Sequence, residues 1–87
     1  MDLNRESVKP GVYRHFKGNT YHVLGVSENT ETGELTVVYI PQHGEHKGKL
    51  SNRNLIMFLE EVDRPEINYK GPRFQLIKEW KFLFQIQ

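Results

Sequence analysis

The sequence predicts an all-β domain: a small, strongly curved barrel of about five antiparallel strands with one short helical turn. Three observations carry this. Short runs rich in Val, Tyr, Thr, Phe and Ile recur between Gly or Asn turn signals, the pattern of short antiparallel strands. The first two runs, joined through Lys17, Gly18 and Asn19, are apolar on both faces, so one face lines a core and the other meets a second layer or a groove. With 87 residues the chain forms one domain, which buries only about 60 to 65% of its unfolded surface, so the core is small.

Residues 1–10 read as a loose polar arm ending at the Pro10-Gly11 turn. Strands are expected at residues 12–16, 20–27 and 34–40, with a turn over residues 28–34. A loop follows over residues 41–49, because Pro41 cannot donate to a central ladder and Gly44 and Gly48 interrupt it. The apolar positions Leu55, Met57, Phe58, Leu59 and Val62 suit a one-turn helix over 54–58 and then a strand over 59–63. Residues 64–72 read as a Pro- and Gly-containing loop. From Trp80 onward apolar and other residues alternate, as in a closing strand with one buried face, so residues 79–87 are expected to form a C-terminal strand extension. That extension would cover the domain's own open end, leaving a monomer, or pair with a second copy as a homodimer.

The opening hairpin has two registers to choose between. A two-residue Gly18-Asn19 turn pairs His15 with His22. A three-residue Lys17-Gly18-Asn19 loop pairs His15 with Tyr21 and Tyr13 with Val23, and is favoured because it gathers Tyr13, His15, Tyr21 and Val23 on one face. Val12, Phe16, Leu24 and Val26 then occupy the other. The expected core is Tyr13, Val23, Leu24, Val37, Tyr39, Leu55, Phe58 and Val62.

Composition excludes several functions. Twelve basic against eleven acidic residues give a net charge of +1, so no whole-molecule field draws the protein to nucleic acid or anionic lipid. There is no cysteine, hence no disulfide scaffold, thiolate metal site or cysteine nucleophile, which fits a reducing, cytoplasmic setting. No apolar run reaches the roughly 18 residues of a membrane span, and the first residues show no apolar leader. No Gly-rich phosphate loop or Gly-x-Ser-x-Gly elbow is present, and no cofactor is implied.

The blocks GVYRHFKGNTYHVLGV, ETGELTVVYIP, RNLIMFLEEV and PRF, in this order and spacing, resemble the small bacterial family defined by domain of unknown function 1653. The resemblance runs from Gly11 to Ile77, and the Gly-x-Tyr-x-His-x-Lys-Gly block is its specific part. It implies an SH3-like β-barrel and assigns no activity. Where members commonly carry His-Ser-Glu-Thr, this chain has Asn29-Thr30-Glu31-Thr32; where they carry Trp-x-Arg-Pro, it has Ser51-Asn52-Arg53-Asn54. A family imidazole and a family indole are therefore replaced at Asn29 and Ser51.

Tyr13, His15, Tyr21, Glu31, Thr32 and Arg53 are the candidate groove residues. His titrates near neutral pH, and Arg offers a rigid fork to a carboxylate or phosphate. The leading expectation is a non-catalytic module binding a peptide, a protein segment or a small anionic ligand. The competing structural reading makes His15 a core histidine bonded to Glu31 or a backbone carbonyl, and Arg53 a surface ion pair. A second class of function is a small metal-dependent hydrolase or other enzyme using His15 with Glu31, or His43 with His46, though that loop lacks the helical i, i+4 spacing that aims two rings at one ion. A third is single-stranded nucleic-acid binding along Arg14, Lys17, Lys47, Lys49 and Arg53 beside Tyr13 and Tyr21, opposed by the acidic runs at residues 28–34 and 60–66.

Overall fold

A computed structural model describes residues 2–81. The described chain is mostly antiparallel β, as the sequence predicts. Strands β1 (Gly11–His15), β2 (Thr20–Glu28), β3 (Leu35–Pro41) and β4 (Ser51–Asn54) lead into a single helical turn, α1 (Leu55–Leu59). Then come β5 (Glu61–Arg64), a 3-10 turn (Pro65–Ile67), β6 (Tyr69–Pro72) and β7 (Phe74–Glu79). One sheet has the order β4-β3-β2-β1-β7, and β5 with β6 forms a separate two-stranded ribbon. Among the described residues no helix is long and apolar enough to cross a membrane.

The β1–β2 hairpin pairs Tyr13 with Tyr21 and Gly11 with Val23, two residues from the expected register. A shift of two preserves side-chain parity, so Tyr13 and Val23 still face the core and Tyr21 packs against it. Farther along, a bulge at Leu24 separates the Val23–Tyr39 and Gly25–Val38 pairs. The extra residue turns Val26 to the core side opposite Val37 and leaves Leu24 45% exposed, so Leu24 is not the core residue the alternation suggested.

Helix α1 starts where expected because Asn54 caps it, its Oδ1 accepting from the Ile56 and Met57 N–H groups at 2.8 and 3.2 Å. Its buried residues, Leu55 and Phe58, join Tyr13, Val23, Val37, Tyr39 and Phe74 in one core. Val8 belongs to the same core and is 4% exposed, with Leu3 packed beside it. The N-terminal arm is thus not loose: the Tyr13 hydroxyl donates to the Lys9 carbonyl at 2.7 Å, and burying Val8 fixes the approach to β1.

Three strands are absent from the pattern-based expectation. The polar strand β4 pairs with β3, and β6 pairs with β5 within the stretch read as a loop. Strand β7 pairs with β1 from His15–Phe74 to Gly11–Glu79, ahead of the alternating tail. Gly11 is required there, since an added Cβ would collide with the Lys78 carbonyl oxygen. Trp80 and Lys81 follow β7 outside any strand. The rest of the expected C-terminal strand, residues 82–87, lies outside the described residues.

Candidate functional site

The end of β1 and the start of β7 meet at the His15–Phe74 pair, and side chains from β2 and β4 gather around it. After His15 the chain turns tightly: Gly18 N–H donates to the His15 carbonyl at 2.7 Å and His15 N–H to the Asn19 carbonyl at 2.8 Å. Gly18 takes φ of 106°, which a side chain would resist. The turn throws Phe16 outward onto Tyr69 of β6, the two rings stacked at 5.5 Å, while Phe16 N–H donates to the Arg73 carbonyl.

Phe74 is the hub. It stacks on Phe58 at 4.3 Å, and His15 and Tyr21 meet it edge to face at 5.0 and 5.3 Å. Arg53 reaches from β4 to place its guanidinium 5.5 Å from the Phe74 centroid, which spans the two edge strands of the sheet. Arg64 and Lys17 approach the Phe16 ring at 5.5 and 5.9 Å. Cations on ring faces gain about 0.5 to 1 kcal/mol each where exposed, so they fit the patch without needing carboxylate partners.

The electrostatics follow from this crowding. Burial and the charges of Arg53, Arg73 and Lys17 lower the His15 pKa to about 4, so the ring is neutral at pH 7. His15 Nδ1 accepts from the Lys17 backbone N–H at 3.1 Å, which leaves the proton of the neutral ring on Nε2 as a donor. Burial raises the pKa of Tyr21 and of Tyr13, and both phenols stay protonated at neutral pH. Arg73 donates to Glu60 at 3.1 Å, whereas the buried Nε atoms of Arg53 and Arg73 have no hydrogen-bond partner among the described residues.

Of the residues singled out in the sequence, His15, Tyr21 and Arg53 come together here. Tyr13 lies one layer deeper, 7% exposed, its ring against Phe58 and its hydroxyl on Lys9. Glu31 and Thr32 do not join them. They occupy the β2–β3 turn, beyond Glu28, and Glu28 is about 23 Å from Tyr21 along a seven-step strand. Their N–H groups serve that turn by donating to Asn29 Oδ1 at 2.9 and 3.2 Å. His15 therefore has no Glu31 partner, and the His15–Glu31 pairing invoked for an enzyme is not formed.

Sequence reasoning missed Phe16, Arg64, Tyr69, Arg73 and Phe74 as members of this patch. Arg73 and Phe74 stand in the PRF block, but only the β1–β7 pairing brings them to His15. His43 and His46 sit exposed in the β3–β4 loop, and no cluster of three His, Cys, Asp or Glu among the described residues is arranged to hold a metal ion. A cleft of about 730 Å³ between the N-terminal arm and the end of β7 is lined by Val8, Val26 and Trp80. Its rim mixes Arg5 and Lys9 with Glu6 and Glu79, so charges of both signs oppose each other there.

Residues 11–76 match a family model described as protein of unknown function (DUF1653). A crystal structure of a DUF1653 protein from Bordetella bronchiseptica is similar, with a TM-score of 0.74 and 33% sequence identity over 90% of this chain and 97% of that one. Among curated proteins no match is found.

Proposed function

The chain belongs to the DUF1653 family, and we propose that it is a non-catalytic binding module whose recognition surface is the aromatic and cationic patch around His15 and Phe74. One observation carries this reading: rings from β1, β2, β6 and β7 form a continuous wall on which Arg53, Arg64 and Lys17 ride. Such a wall presents rigid apolar area with charge beside it, the composition of surfaces that take a peptide, a protein segment or a small anionic ligand. Phe16 and Tyr69 stack on each other instead of standing open as separate platforms, which favours this reading over stacking of nucleic-acid bases. The SH3-like barrel, a bacterial source and a cytoplasmic setting are part of the same proposal. They rest on the five-stranded antiparallel sheet, the Bordetella relative and the lack of cysteine.

The test is an NMR screen of the full chain against short acidic and apolar peptides. Resonance changes should cluster at His15, Phe16, Tyr21, Tyr69 and Phe74 and disappear in Tyr69→Ala, whose ring is half-buried at the rim of the patch. Changes confined to the Glu28–Glu34 turn, or none with any peptide, would overturn the proposal.

A further inference from the structure

Arg53 carries five N–H donors on a planar fork. Among the described residues its Nε is buried without a hydrogen-bond partner, and the guanidinium lies 5.5 Å from the Phe74 ring centroid. The carboxylate paired at this end has another partner: Glu60 accepts from Arg73 at 3.1 Å. Buried polar groups are nearly always paired, so a buried guanidinium N–H with no partner among the described residues marks a place for an acceptor from outside them.

The neighbours of Arg53 are donors too. Arg73 Nε is buried and unpartnered among the described residues, and Arg73 stands beside His15, its carbonyl accepting from Phe16 N–H and its charge acting on the imidazole. His15, edge-on to the same ring, has its Nδ1 already bonded and its Nε2–H free to donate. Three cationic side chains, Arg53, Arg73 and Lys17, face the imidazole, and Glu60 is the carboxylate paired among them. One carboxylate therefore stands among these cations, and the buried Nε–H groups of Arg53 and Arg73 have no acceptor among the described residues.

We infer that Arg53, Arg73 and His15 form an oxyanion site on Phe74, taking the carboxylate or phosphate group of the ligand. The inference deepens the proposed binding role and rests on it. Guanidinium forks match the two oxygens of either group, and charge-assisted bonds of this kind are about twice as strong as neutral ones. An ion docked there offsets the guanidinium charges that disfavour protonation of His15, so binding of the anion and protonation of His15 are coupled.

Titration of the full chain with inorganic phosphate and, separately, with acetate tests this, each against chloride at equal ionic strength. The readouts are the His15 imidazole and the Arg53 and Phe74 amide resonances. At least one anion should give a saturable shift at these positions and raise the His15 midpoint from about 4. Phosphate alone, acetate alone or both would identify a phosphoryl ligand, a carboxylate ligand or a general oxyanion site. Arg53→Gln should weaken binding by about tenfold, and Arg53→Lys, which keeps the charge without the fork, by a smaller factor. No saturable shift with either anion, or equal shifts in wild type and both variants, overturns the inference. If peptides still perturb the patch while both anions are silent, the oxyanion site fails and the binding surface stands. If all are silent, both readings fail.

Discussion

The two ends of β2 make opposite use of the same kinds of side chain. At the far end Glu28 pairs with Arg5 at 3.0 Å, Glu34 accepts from Asn54, and Asn29 Oδ1 collects the Glu31 and Thr32 N–H groups. Thr32 Oγ1 accepts from Glu34 N–H, and Gly33 takes φ of 80° to close the turn. That end consumes its polar atoms in holding its own shape. At the near end the buried Nε–H groups of Arg53 and Arg73 have no partner among the described residues, and His15 is held neutral. A hydrogen-bonded turn contributes to stability, whereas an unmatched donor set costs stability and persists where something outside the fold uses it. This contrast, more than the number of charges at either end, directs the functional reading to His15 and Phe74.

Removing the hub should separate the ends most sharply. Phe74→Ala deletes a ring that is 7% exposed and touches Phe58, His15, Tyr21 and Arg53. A loss of about 3 to 5 kcal/mol is expected from denaturant unfolding. A loss below about 1 kcal/mol would mean that the near end is not anchored in the core. At the far end Asn29→Ala removes the acceptor that organises the turn, and by analogy with a lost helix cap should cost about 1 kcal/mol. The spectrum of His15 should be unchanged in that variant, and a perturbed imidazole would show that the two ends communicate.

The sequence made much of the far end and the hairpin legible, and little of the near end. Strands β1 to β3 announce themselves through β-branched and aromatic residues between Gly and Asn turns, and Asn54 marks the start of α1 by its capping chemistry. Strand β4 reads Ser-Asn-Arg-Asn and has no apolar signal, because its place comes from pairing with β3. In β7 only Phe74 is buried, and the register shift between Tyr13–Leu76 and Val12–Lys78 leaves Ile77 extra, so alternation fails where a strand exists. His15, Tyr21 and Arg53 were recognisable as a candidate group by residue type. Phe74, Arg73, Tyr69 and Arg64 were not, since they reach His15 only through pairing and packing of strands remote in sequence. Glu31 and Thr32 keep the Glu and Thr of the family's turn, but the length of β2 separates that turn from the rest.

A pH series sharpens the comparison with a smaller effect. The His15 pKa is about 4 in the folded chain against 6.5 for the ordinary side chain. Between these values the unfolded state binds the extra proton, so the stabilising contribution is complete above about 6.5 and lost as pH falls to about 4. The imidazole is half-buried, and the remaining solvent contact trims the effect below that of a fully buried group with the same shift. Wild type should therefore lose slightly more melting temperature than His15→Gln between pH 6.5 and 4, with no further difference below 4. Parallel curves would show that the charges of Arg53, Arg73 and Lys17 do not act on this imidazole.

The smallest expected effects come from two arginines, one at each end, and their signs are opposed. Arg5→Ala removes an ion pair with Glu28 whose side chains are 63% and 39% exposed, so the loss should lie between zero and about 1 kcal/mol and shrink in high salt. Arg53→Met keeps an unbranched apolar stem against Phe74 while removing a buried N–H that has no partner among the described residues. Leaving a buried donor unsatisfied costs about 1 to 3 kcal/mol, and the cation's attraction to the ring recovers only part of that. Arg53→Met should thus hold or raise the melting temperature, and with one guanidinium gone the His15 midpoint should move upward from about 4. If Arg53→Met instead destabilised the fold by more than Arg5→Ala, Arg53 would be a structural clamp between β4 and β7. The difference between the two ends of β2 would then be one of geometry and not of function.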